Sequence, residues 1–342
     1  MKAPGAGPVL AERPRGVAVL RLRGHDVAHY NWEPDLPLST SPRPYLHPVR
    51  TLAGTTVTDA APDSHSHQFG ISVAFPDIDG RNFWGGRTFV AGHGPAWLDN
   101  HGTQRHQRWL RRTGTELTHT LHWVGPHATT LLAEERSITC RALGETAWSL
   151  GVRTRLTNVT GAPLPIRSPA ALGRVGAGFG GIFWRGPAVS GAPRVLSPAV
   201  TDLGDGPGTA GLARVPGASG ASGASGVAGA SGASGASGAF SAFGADVGRV
   251  HGATAPWIAV TGADRDRGEW TLVFTPGDET TARDRWFVRA RDYLGVCSSP
   301  TWDEPLVLAP GETIARHVVI VVADGAITPG TAAELADIAR PR

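Results

Sequence analysis

Trp148-Ser149-Leu150-Gly151-Val152-Arg153-Thr154-Arg155-Leu156 is the stretch that decides the fold class. Every second residue (Trp148, Leu150, Val152, Thr154, Leu156) is apolar or favours extended backbone. Ser149, Arg153, Arg155 and then Thr157 take the alternate positions. Side chains alternate across a strand, so this pattern describes a strand with one face on a core and the other toward solvent. Half-buried strands of this kind belong to antiparallel sheets. Leu117-His119-Leu121-Trp123 and Trp270-Leu272-Phe274 repeat the alternation. Turn residues separate such runs: Asn158-Val159-Thr160-Gly161-Ala162, Thr261-Gly262-Ala263 and Ala309-Pro310-Gly311-Glu312. The 46 glycines and 27 prolines suit many short strands joined by tight loops. Only Thr331 to Arg340 reads as a helix. The period-two pattern from Val17 to Val322 therefore predicts an all-β protein, a large antiparallel β-sandwich with a short C-terminal helix.

The 342 residues are read as one domain. Residues 1–14 form a frayed tail, 15–330 the sandwich, and 331–342 the helical end. Within the sandwich, Gly217 to Ala239 repeats Gly-Ala-Ser almost without interruption. Such small side chains bury too little to offset ordering entropy, so the segment is expected to be a disordered insertion in a loop.

Charge and composition exclude several functions. The net charge is +3 and Lys2 is the only lysine, with arginines spread along the chain. No dense basic run is interleaved with aromatics, which argues against nucleic acid as a partner. No apolar run approaches the roughly 18 residues that span a bilayer. The start of the chain lacks an apolar core of signal-peptide length, which gives the cytoplasm as the expected location. Cys140 and Cys297 are too few for a disulfide framework or a four-cysteine zinc site and are expected as buried thiols.

Histidines supply the first chemical constellation. Asp63-Ser64-His65-Ser66-His67 precedes Gln68 and the strand-like Phe69 to Phe75. A strand that begins early puts His65 and His67 on one face, where two imidazoles and a third ligand such as His106 can hold a divalent metal ion. Alternatively, a neutral His67 serves as acid, base or hydrogen-bond donor near pH 7. The second constellation is aromatic and arginine-rich: Arg43-Pro44-Tyr45 with His47, Asn82-Phe83-Trp84-Gly85-Gly86-Arg87, and Gly178 to Arg185. Aromatic faces stack on sugar rings, and arginine forks reach hydroxyls or carboxylates. The Gly-Phe-Gly-Gly run lacks the Gly-Lys-Ser/Thr ending of a phosphate-binding loop. Among the carboxylates, Glu135 in Glu134-Glu135-Arg136 is the candidate general base. Asp77-Ile78-Asp79-Gly80 lacks the rest of a calcium loop and reads as a turn.

Arg43 to Thr51, His65-Ser66-His67-Gln68-Phe69-Gly70, Asp77 to Trp84 and Gly102 to Arg108 together resemble the bacterial family labelled methane oxygenase PmoA-like, over roughly residues 40–325. His47, His67 and His106 fall on the family's motif positions, while Gln68 stands where the usual pattern has a second histidine. The closing strands, Thr313 to Gly325, are similar to those of galactose-mutarotase-like supersandwiches. That resemblance implies sugar chemistry, with histidine and carboxylate acting on a ring carbon or hydroxyl. The leading expectation is an enzyme that processes a small-molecule carbohydrate or glycoside by hydrolysis, elimination or epimerisation. His67, His106 and Glu135 would be its catalytic groups, and Arg43, Tyr45, His47, Trp84 and Arg185 its substrate contacts. The rival expectations are a metal-dependent oxidoreductase using His65, His67 and His106, and a non-catalytic sugar-binding module.

Overall fold

The computed structural model describes residues 16–198 and 247–341. The Gly-Ala-Ser insertion and the N-terminal tail lie outside the described residues. Two large antiparallel sheets face each other. Sheet I has seven strands in the order Val17–Leu22, His25–Asn31, Tyr45–Val49, Ile71–Ala74, Gly181–Arg185, Gly295–Ser299 and Arg285–Arg289. Sheet II has eight: Arg194–Leu196, Ile258–Asp264, Gly268–Pro276, Thr313–Asp324, Ala147–Asn158, Thr130–Ala142, Glu116–Val124 and Thr103–Arg112. Two small sheets of three and two strands complete the all-β architecture.

The alternation read from the sequence locates the core. Trp148, Leu150, Val152 and Leu156 are buried with Leu20, Val73, Ile182 and Trp184 of sheet I, so the inward faces of both sheets meet in one apolar layer. The opposite face of sheet II is not uniformly wet. The C-terminal helix, Pro329–Ala339, lays Ala332, Ala336 and Ala339 on Val273, Val319, Val321 and Ala323. This explains the unbroken apolar run Val318 to Ala323, since its even residues face sheet I and its odd residues face the helix. It also corrects Ser149, which is buried and does not face solvent. The helix begins two residues before the expected start because Thr328 caps it, accepting from the Thr331 N–H, with Pro329 in the first turn. Thr261-Gly262-Ala263 is strand rather than turn. The chain reverses just after it, where Asp264 Oδ1 accepts from the N–H groups of Asp266 and Arg267.

A third apolar cluster lies on the outer face of sheet I. Ala74, Phe183, Phe287 and Cys297 are buried there under Trp84, with Phe179, Tyr293 and Trp302 packed around them. Cys140 and Cys297 are both buried free thiols. No helix among the described residues is long and apolar enough to cross a membrane.

Candidate functional site

The aromatic patch on sheet I forms the floor of a cleft of about 1240 Å³. Loops around residues 63–68, 84–87, 174–179 and 289–293 build its walls. Trp84, Phe179 and Phe287 supply apolar surface, and Trp97 stands at the mouth with 62% of its surface exposed.

His65 and His67 both line this cleft, but the local backbone is not the expected early strand. Pro62 leads into a single 3-10 turn, Asp63–His65, and the strand starts only at Ile71. The turn still brings the two imidazoles together, with ring centroids 6.0 Å apart. His67 is held from two sides. Its carbonyl accepts from Arg43 Nη2 at 2.8 Å, and its ring lies against Gly85 and Gly86. A Cβ on Gly86 would sit 2.9 Å from His67 Nδ1, and one on Gly85 would sit 2.4 Å from the Thr40 carbonyl oxygen. Both glycines have positive φ (97° and 69°), so only glycine suits this approach. Asn82 fixes the loop, accepting through Oδ1 from the Trp84 and Gly85 N–H groups at 2.8 Å. Behind it, buried His101 contacts the Gly86 carbonyl through Nε2 at 2.8 Å, an arrangement that needs the proton on Nε2.

The two ring nitrogens of His67 make no hydrogen bond among the described residues. Burial, followed by the charges of Arg43, His65, His101 and Arg185, pushes its pKa down to about 4. The ring is therefore a neutral imidazole at pH 7, with one N–H and one lone pair available to the cleft. Tyr293 stands nearby, its ring 4.9 Å from that of His65. Burial raises its pKa, so it stays a phenol. His251 also lines the cleft but is occupied structurally. Its Nδ1 accepts from the Val288 N–H, which places the proton on Nε2 for the Gly176 carbonyl.

The structure corrects several expected contacts. Arg43 is fully buried and pairs with no carboxylate among the described residues. It donates to the carbonyls of Thr40, Ser41, Trp84 and His67 and to Ser72 Oγ, tying the cleft loops to the sheet. It is a positioning residue. Arg185 is 6% exposed and lies behind the wall, donating to Gln68 Oε1 at 2.9 Å with its guanidinium 4.5 Å from the Tyr293 ring. Tyr45 stacks on Phe69 and His47 bonds Thr58 Oγ1, and neither lines the cleft. Trp84 does line it, as a wall packed on Phe179 and Phe183.

His106 does not join His67. It sits on the edge strand Thr103–Arg112 of sheet II, where its Nδ1 lies 2.9 Å from that of His119 and its ring packs against Trp32 and Trp109. The set His65, His67 and His106 is thus not assembled. No group of three or more His, Cys, Asp or Glu side chains suited to a metal ion occurs among the described residues. Glu135 points outward and is exposed, while its neighbour Glu134 is 2% exposed inside the sandwich. From His106 a hydrogen-bonded chain runs inward through His119 and Tyr30 to Arg136 and Glu134. This network belongs to the core and does not line the cleft.

The sequence motifs assign no site role to Gln68, Asn82, His101, Arg289 or Tyr293. Only Asn82 carried a local signal, in the Asn-x-x-Gly-Gly loop pattern.

Among curated proteins, none matches the sequence. The solved structures to which the chain has a weak similarity include two carbohydrate-active enzymes. A GH36 α-galactosidase from Geobacillus stearothermophilus in complex with raffinose has a TM-score of 0.35 and 12% identity, over 90% of this chain and 40% of that one. A polysaccharide lyase has a TM-score of 0.23 and 10% identity, over 66% of this chain and 26% of that one. This chain thus spans less than half the length of either. A family model matches residues 18–337, and the chain belongs to that family, DUF6807, a family of unknown function.

Proposed function

We propose that the cleft binds a carbohydrate or glycoside and that the protein acts on it, with His67 handling the proton. The carrying observation is a neutral imidazole whose two nitrogens make no hydrogen bond among the described residues, locked by Arg43 and the Gly85-Gly86 loop beside an aromatic wall and an exposed tryptophan. Apolar sugar faces stack on indole rings, while the hydroxyls need the donors and acceptors that His67, Gln68 and Tyr293 offer. Among the described residues that line the cleft, the only carboxylates are Asp63 and Asp292, both exposed. Hydrolysis by a facing pair of carboxylates, one with a raised pKa, therefore has little support here. Elimination or epimerisation fits better, since either needs one group to take a proton from carbon or hydroxyl and another to return one. His67 and the Tyr293 phenol suit those two roles.

Trp97 provides the test of binding. Titration of the full-length protein with a panel of methyl glycosides, followed by tryptophan fluorescence, should give saturable quenching. Trp97→Ala should weaken that binding about 10-fold without moving the thermal midpoint, because the side chain is mostly in solvent. If no sugar in the panel perturbs the wild-type signal, the carbohydrate reading is wrong. The same measurement serves the non-catalytic module reading, which differs only in leaving the bound sugar unchanged.

A further inference from the structure

The cleft is lined by four arginines, Arg87, Arg174, Arg289 and Arg291, against the two exposed aspartates. Some arginines elsewhere in the protein are paired: Arg21 with Asp26, Arg136 with Glu134, Arg167 with Asp77, Arg316 with Asp284. None of the four cleft arginines makes an ion pair among the described residues. Three of them are exposed, and water solvates their charge.

Arg289 is different. It is half-buried at the end of its strand, with the guanidinium carbon 4.5 Å from the Phe287 ring centroid. Its protein acceptor is the Gly176 carbonyl, at a long 3.4 Å from Nη2. Nη1 approaches His251 Nε2, also at 3.4 Å, but that nitrogen already carries the proton it gives to Gly176. Two like donors facing each other form no bond. Among the described residues Arg289 thus has one long acceptor and no carboxylate for its planar fork of N–H groups, which is stacked in place by an aromatic ring in a cleft whose described lining has more arginines than carboxylates. Such a fork matches a carboxylate, which accepts two parallel hydrogen bonds from it.

We infer that the sugar bound in this cleft is an acidic one, a hexuronate-type residue whose carboxylate is held by Arg289. This rests on the carbohydrate reading above and names its substrate class. Arg87, Arg174 and Arg291 at the mouth raise the local concentration of anions and make capture depend on salt.

The test compares three probes on the wild-type protein by calorimetry at low salt: methyl glucuronide, its methyl ester and methyl glucoside. Methyl glucuronide should bind at least about 10-fold more tightly than the other two, which match its shape without its charge. Arg289→Met should abolish that advantage, bringing the affinity for methyl glucuronide down to that for methyl glucoside. Arg289→Lys should restore only part of it, because an ammonium lacks the fork. Equal binding of glucuronide and glucoside would overturn the acidic-sugar inference and leave the carbohydrate reading standing. Tighter binding of a fourth probe, glucose 6-phosphate, than of glucuronide would overturn it in favour of a phosphorylated sugar. If none of the probes binds, both readings fail together. The ester comparison needs no variant, so it holds even if the Arg289 substitutions disturb folding.

Discussion

Glu134→Ala should destabilise the protein by about 3–5 kcal/mol, read from urea or thermal unfolding, because it leaves a buried arginine without its counter-charge. The Glu134 carboxylate accepts from Trp123 Nε1, Arg136 Nε, Arg136 Nη2 and Thr154 Oγ1, each at 2.7 Å. Both partners of the ion pair are at most 2% exposed. Burial acts to lower the Arg136 pKa, and Glu134 with Tyr30 more than reverses that, so the guanidinium is held above its ordinary value. Once Glu134 is truncated, Arg136 retains only Gln104 Oε1 at 2.8 Å and longer contacts to Tyr30 and Pro44. Glu135→Ala, one residue along on the exposed face, should change stability by no more than about 0.5 kcal/mol. Similar small losses for both variants would show that the network is not structural.

The second large effect is loss of stability in mild acid. Burial holds His119 at about 2, and burial also holds His67 and His251 at about 4, against the ordinary 6.5. Nearby positive charge reinforces each: Arg136 at His119, Arg43 at His67 and Arg289 at His251. The sign follows from linkage. Between the two values the unfolded chain binds a proton that the folded chain refuses, so stability is full above pH 6.5 and falls as the pH drops toward 4. His251 alone contributes on the order of 3 kcal/mol to that loss. The unfolding midpoint should therefore drop steeply between pH 6.5 and pH 4.5, before most carboxylates take up protons. His251→Gln should flatten the curve. A flat profile from pH 7 to pH 5 would mean that these rings are accessible and unperturbed.

Much of the sandwich was legible because the period of two is a local property. Trp148, Leu150, Val152 and Leu156 declared the inward face directly. The same parity distinguishes the two glutamates. Glu134 shares it with Leu132, Arg136 and Ile138, all of which face the core, so the buried carboxylate of the Glu-Glu pair could be chosen by counting. Ser149 could not be placed this way, because its burial depends on a helix nearly two hundred residues downstream. The site was less legible still. His67 and His106 occupy similar-looking motifs, but His67 lies over the outer face of sheet I and His106 on sheet II, and strand pairing over long sequence distances is not written in either motif. Arg43 read as a substrate contact because arginine is usually exposed. Its burial is made possible by four carbonyl oxygens from Thr40, Ser41, Trp84 and His67, converging from separate loops.

The central claim is that a neutral His67 acts chemically on a sugar held in the cleft. Its direct measurement is turnover of the bound sugar by the wild type and by His67→Ala, with affinity and thermal midpoint followed in parallel. The alanine variant keeps the backbone carbonyl that Arg43 grips, so the loop should stay in place. Turnover should fall by at least about 100-fold, the usual contribution of a positioned proton-transfer group, far more than the affinity falls, with the midpoint nearly unchanged. Unaltered turnover in the variant, or a sugar that binds the wild type and is never transformed, would contradict the account.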